Sequence, residues 1–174
     1  MDPVKGVPVL LRAFGDVARD YPGARLDLVG DGPAMRDFTA MAQTTGVADR
    51  VRFLGYRNQD EVAAHLAEAD MLVLPSFAEG VPVVLMEAMA SRIPVIASRV
   101  AGVAELVEDG QSGFVLPPGD ERSLATSLWT LFDAPERCRE MGLAGRAKVE
   151  VEFDIRTEAA RLAGQFAAAE DRRA

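Results

Sequence analysis

Apolar positions along the chain follow two periods that alternate. Between residues 8 and 20, Leu10, Phe14 and Val17, flanked by Leu11 and Ala18, recur at the spacing of a helix face. Pro22-Gly23 marks its end, and Leu26-Asp27-Leu28-Val29 then reads as a short strand running into the turn signal Gly30-Asp31-Gly32-Pro33. Met35, Phe38 and Ala42 predict the next helix, with Gly46 as its stop. Val51-Arg52-Phe53-Leu54 predicts a second strand, and Asp60 is placed to cap a helix striped by Val62, Leu66 and Ala69. The continuous apolar run Met71-Leu72-Val73-Leu74 suits a strand covered on both faces. A helix from about Pro82 to Ser91 and the strand Pro94-Val95-Ile96-Ala97 follow. A short helical piece over Val103–Val107, the strand Gly113-Phe114-Val115-Leu116 and a helix capped by Asp120 come next. After Pro135 the pattern is helical in two pieces, with a break near Phe153-Asp154.

Strands alternating with helices of this length predict βαβ units, an α/β fold with a parallel sheet and helices on both faces. Ligands of such sheets bind outside the carboxyl ends of the strands. The loops at 30–33, 55–58, 75–81 and 98–103 are therefore the places to look for chemistry.

Composition narrows the function. The 174 residues amount to one domain or part of a larger protein, with ordinary apolar and charged content. A formal charge of -8 argues against a broad nucleic-acid footprint, while leaving room for a local basic pocket for a phosphate. The single cysteine, Cys138, excludes an internal disulfide framework and reads as a helix residue without a partner. No apolar run is long enough to span a bilayer, and a cytoplasmic setting, soluble or peripheral to the inner membrane, is the expectation. His65, the one histidine, lies beside a helical apolar stripe and reads as a packing or surface residue. Met86 and Met89 read as core.

The segment from Pro75 to Ala90 is the richest in chemistry. A buried strand delivers Pro75-Ser76-Phe77-Ala78-Glu79-Gly80 to the ligand edge, and Gly80 permits close backbone approach. Pro82 suits a first helical position, so amides near Val81, Val83 and Val84 would point from a helix N-terminus, which attracts anions. Glu87 interrupts a run of Val, Leu, Met and Ala, and a carboxylate there needs a partner or a ligand. Either carboxylate alone reads equally as a solvated residue. Two carboxylates beside an anion site suit a sugar phosphate.

Glu79 and Glu87, with seven residues between them, resemble the E-x7-E motif of family 4 retaining glycosyltransferases of the GT-B fold, the glycosyl transferases group 1. Pro75-Ser76 before the first Glu and Glu87-Ala88-Met89-Ala90 after it fit the same pattern. So do Lys5-Gly6 before Leu10-Leu11-Arg12-Ala13-Phe14, Leu28 to Pro33, Val51 to Gly55, Ala69-Asp70 and Gly110 to Gly113. The resemblance implies a Rossmann-like C-terminal half of a GT-B enzyme, with a donor-binding domain over 1–150 and a C-terminal helix over 151–174.

The resemblance also implies roles. Glu79 would contact the donor sugar, and Gly80, Val81 and Val83 would hold sugar and phosphate. Glu87 would hold ribose hydroxyls, and Lys5 would neutralise the diphosphate leaving group. Gly30, Asp31 and Gly32 would approach the nucleotide, with Tyr56 and Arg57 beside the base. The implied reaction is metal- and cofactor-independent transfer of a sugar from a UDP- or GDP-linked donor to an acceptor hydroxyl with retention. Similar enzymes open this domain with a strand and a Gly-Arg pair, and both would fall before Met1, as would the acceptor domain. The expectations are a first strand absent from the sheet, an unpaired edge open to self-association, and a chain incomplete for catalysis. Two other readings remain: a non-catalytic nucleotide-binding or interaction module, and another GT-B enzyme such as a nucleotide-sugar epimerase. A nicotinamide-binding fingerprint fails, because its third glycine would fall at Met35.

Overall fold

The computed structural model describes residues 2–80, 82–156, 159, 162–163 and 165–166. Strands and helices alternate as the pattern predicts. A 3-10 turn at Pro3–Lys5 leads into α1 (Val7–Asp20), β1 (Leu26–Val29), α2 (Met35–Thr44), β2 (Val51–Gly55) and α3 (Gln59–Glu68). Next come β3 (Leu72–Leu74), α4 (Val83–Ala90), β4 (Val95–Ser98), α5 (Val103–Leu106), β5 (Gly113–Leu116), α6 (Glu121–Asp133) and α7 (Pro135–Glu152).

All ladders between these strands are parallel. β1 pairs with β2, setting Leu26 opposite Val51 and Leu28 opposite Phe53. β4 lies between β3 and β5, with Ile96 opposite both Val73 and Phe114. Among the described residues no ladder joins β1 to β3, so the sheet is in two parts, of two and three strands. A direct β1–β3 ladder would have contradicted the expected gap.

Alternation along β4 explains the packing, since successive side chains leave a strand on opposite faces. Ile96 joins a core with Leu11, Phe14 and Val17 of α1, Phe38 of α2 and Leu128 of α6. Val95 and Ala97 join the other core, with Leu85 and Met89 of α4, Val103 and Val107. Each such fully buried aliphatic side chain contributes about 1.5–3 kcal/mol. A strand flanked by two cores favours apolar residues on both faces, which is why Val95-Ile96-Ala97 shows no alternation.

Helix ends agree with the sequence in part. Asp120 caps α6, its Oδ1 accepting from the Ser123 amide at 3.0 Å. That amide and the Ser123 hydroxyl hold its carboxyl below the ordinary carboxylate range. The cap of α3 corrects the expectation. Asn58 accepts from the Glu61 amide at 3.0 Å while Glu61 Oε2 accepts from the Asn58 amide at 2.9 Å. Asp60 therefore sits inside the first turn, because this reciprocal pair satisfies two helix-start donors at once. Pro82 is likewise the residue before α4 rather than its first helical residue.

Two contacts between helices matter for the site. α7 presses on the end of α4: a Cβ on Gly142 would lie 2.0 Å from the Arg92 carbonyl oxygen. Arg146 Nη1 also donates to the Ala90 carbonyl. α1 is tied to α6 by Trp129 Nε1 donating to Asp20 at 3.0 Å and by Tyr21 stacking on Phe132 with centroids 4.9 Å apart. Cys138 has a partner after all, its thiol donating to the Leu131 carbonyl at 3.2 Å. His65 lies with Nδ1 4.0 Å from Asp27, a surface ion-pair position. Met89 is fully buried, and Met86 packs against the same core. No described helix is long and apolar enough to cross a membrane.

Candidate functional site

The site is assembled on the loop between β3 and α4. Pro75 and Ser76 are buried as the chain leaves β3, and Ser76 is 0% exposed. The N-terminal turn is sewn to this loop by backbone. The Phe77 amide donates to the Val4 carbonyl at 2.7 Å. Gly6 lies so close that a Cβ there would come within 1.9 Å of the Pro75 oxygen, and its φ of 71° is in the left-handed region. Only glycine meets both demands at this position.

That docking carries Lys5 across 74 residues of sequence to Glu79. Lys5 Nζ donates to Glu79 Oε1 at 2.9 Å and to Oε2 at 3.0 Å. Ser76 Oγ donates to Oε1 from the buried side at 2.6 Å. The Glu79 side chain is 10% exposed and that of Lys5 is 48% exposed. The carboxylate is thus largely buried, while the ammonium stays reachable from solvent.

Glu87 lies on α4, half-buried, and Oε1 accepts from Gln59 Nε2 at 3.2 Å. Gln59 is the first residue of α3, so this bond ties the loop after β2 to the helix after β3. The first turn of α4 closes with the Leu85 amide donating to the Pro82 carbonyl at 2.9 Å. The amides of Val83 and Val84 precede it at the helix start, where partial positive charge gathers. Val83 is exposed, and no atom lies within 4 Å of where a Cβ on Gly80 would be. Space for close approach is therefore open at Gly80. Val81 lies outside the described residues.

The loop after β1 carries the second group of expected site residues. Gly30 and Gly32 have φ of 126° and 155°, and Asp31 Oδ1 accepts from the Gly32 amide at 2.7 Å. The Gly30 amide donates to the Gly55 carbonyl at 2.8 Å, which joins this loop to the end of β2 beside Tyr56. Tyr56 is 75% exposed. Arg57, in the loop before α3, donates to the Tyr56 carbonyl at 2.9 Å and lies 3.8 Å from Glu61 of α3.

The structure thus joins Lys5 to Glu79 directly and links the Tyr56 loop to Glu87 through Gln59. Sequence reading noted Ser76 only as a flank and did not single out Gln59. A serine just after an apolar run and three residues before a loop carboxylate was the available signal for the first, although β3 itself is half-buried rather than covered on both faces. Nothing in the pattern marked the second. Among the described residues no group of three or more His, Cys, Asp or Glu is placed to hold a metal.

A cation against one carboxylate, a second carboxylate farther along the helix and open amides at the helix start suit a ligand that is anionic at one end and rich in hydroxyls elsewhere. Residues 1–134 match the family model described as Glycosyl transferases group 1. The chain belongs to this family. A group 1 relative from Mycolicibacterium smegmatis, a GDP-mannose-dependent alpha-(1-6)-phosphatidylinositol monomannoside mannosyltransferase, is 36% identical over 92% of this chain and 44% of its own length. The N-acetyl-alpha-D-glucosaminyl L-malate synthase of Bacillus anthracis is 36% identical over 86% of this chain and 39% of its own length. The fold superposes on the crystal structure of Anabaena HepE in complex with UDP and glucose with a TM-score of 0.87, at 26% identity. That match covers 97% of this chain and 46% of HepE. The group 1 chain described here therefore spans less than half the length of these relatives.

Proposed function

We propose that this chain is the donor-binding half of a retaining group 1 glycosyltransferase, taking a UDP- or GDP-linked sugar without a metal or other cofactor. In this reading Lys5 faces the diphosphate, and the amides of Gly80, Val81 and Val83 hold phosphate and sugar. Glu79 takes hydroxyls of the donor sugar, and Glu87 those of the ribose. Gly30, Asp31 and Gly32 flank the nucleotide, and Tyr56 and Arg57 sit by its base.

The observation that carries the reading is the contact of Lys5 with Glu79 at 2.9 and 3.0 Å. In this reading Lys5 is the cation for the leaving group and Glu79 the carboxylate for the sugar, and the contact supports it by bringing the two together. When the glycosidic bond breaks, negative charge grows on the diphosphate, and a fixed ammonium stabilises it more than the ground state. The UDP bound in the HepE complex and the GDP-mannose dependence of the mycolicibacterial relative favour those two nucleotides. Transfer further needs an acceptor site on another domain, so the chain by itself binds donor without turnover.

Calorimetric titration of the folded chain with UDP, GDP and ADP tests this. At least one is expected to bind. Failure of all three with a sample folded by circular dichroism sinks the reading.

A further inference from the structure

Resting on that reading, we propose that Ser76 is a positioning residue that fixes the carboxylate of Glu79 for recognition of the donor sugar. Its hydroxyl is fully buried and donates to Glu79 Oε1 at 2.6 Å. Buried polar groups are kept only where they are bonded, and this bond is to a charged acceptor, the stronger kind.

The geometry divides the work between two donors. Lys5 approaches both oxygens of Glu79 from the exposed side, whereas Ser76 approaches one oxygen from within the fold. A diphosphate competes with Glu79 for the Lys5 ammonium. Once Lys5 turns to phosphate, Ser76 is the holder that remains. The backbone of Ser76 is itself held, since it lies between Pro75, pressed by Gly6, and Phe77, whose amide donates to Val4. A short hydroxyl on a loop held by these backbone contacts has little freedom to lose. It therefore fixes a carboxylate more cheaply than a long lysine does.

The consequence is selective. Ser76→Ala leaves the nucleotide contacts in place and loosens only the group that reads the sugar. The test measures affinities of the chain for UDP and UDP-glucose, and for GDP and GDP-mannose, using whichever pair the wild type binds. Ser76→Ala is expected to keep the affinity for the nucleoside diphosphate within about twofold and to weaken the sugar nucleotide about tenfold, the size expected for a hydrogen bond to a charged group. Ser76→Cys fills the same space with a weak donor and is expected to show the same selective loss if the alanine variant folds poorly. In a Glu79→Ala background, Ser76→Ala is expected to add no further loss, because its effect runs through Glu79. Equal losses for both ligands, or additive losses in the double variant, would mean a merely structural serine and overturn the proposal. Wild-type chain that binds none of these ligands overturns the donor-site reading itself, a separate outcome from wild-type binding that Ser76→Ala leaves unchanged.

Discussion

At the residue scale, the two carboxylates of the motif differ in their surroundings, and this predicts different phenotypes. Glu79 is gripped by Lys5 and Ser76, whereas Glu87 has the Gln59 amide at 3.2 Å. Lys5 acts on phosphate charge in the proposed site and Glu87 on ribose hydroxyls. Lys5→Ala is therefore expected to weaken both inorganic pyrophosphate and the bound nucleoside diphosphate, by roughly tenfold or more at low salt. Glu87→Ala is expected to weaken the nucleoside diphosphate by a similar factor and to leave pyrophosphate unaffected. Competition titrations with the two ligands check the split. A parallel loss of both in Glu87→Ala would remove the ribose assignment. Glu87 stood out in the sequence as a charge in an apolar helix, whereas Glu79 and Lys5 drew attention through the family motifs. Ser76 and Gln59 did neither, because what they do depends on which oxygen they reach.

At the element scale, α4 matters most, since it carries Glu87 and starts at the site. It is short, eight residues, and its apolar sequence is explained by contact with the core and with α7. Its end is unusual. Arg92 has φ of 63°, uncommon for a residue with a long side chain, and its carbonyl faces Gly142. Gly142→Ala would force the backbones of α4 and α7 apart. The expected cost is about 1–3 kcal/mol, as for other overpacked sites, seen as a melting temperature lower by several degrees. An unchanged melting curve would show that α7 does not clamp α4. The Asn58 cap of α3 has the same moral for sequence reading. The sequence pattern pointed to Asp60, and the folded backbone after β2 uses Asn58 with Glu61 instead.

At the scale of the whole molecule, the division of the sheet is the dominant feature. β4 has a partner on each side and is buried on both faces, while β1 and β2 have only each other within the described sheet. Local opening is cheapest where ladders are short and edges free. Amides of β1 and β2 are expected to exchange with deuterium faster than those of β4, by about tenfold or more, in native-state exchange followed by NMR. Equal protection would mean that the two parts open as one unit. The sequence by itself determined the order of elements, the parallel sheet and the family, because period, turn residues and the spacing of Glu79 and Glu87 are local properties of the chain. It also pointed to the unjoined β1 and β3, through the family pattern. Only the tertiary structure decided that Lys5 meets Glu79, that Ser76 holds it from beneath and that Gln59 reaches Glu87. The bond of Lys5 to Glu79 joins residues brought together by backbone docking at Gly6 and Phe77, and no periodicity encodes the direction in which a side chain finally points.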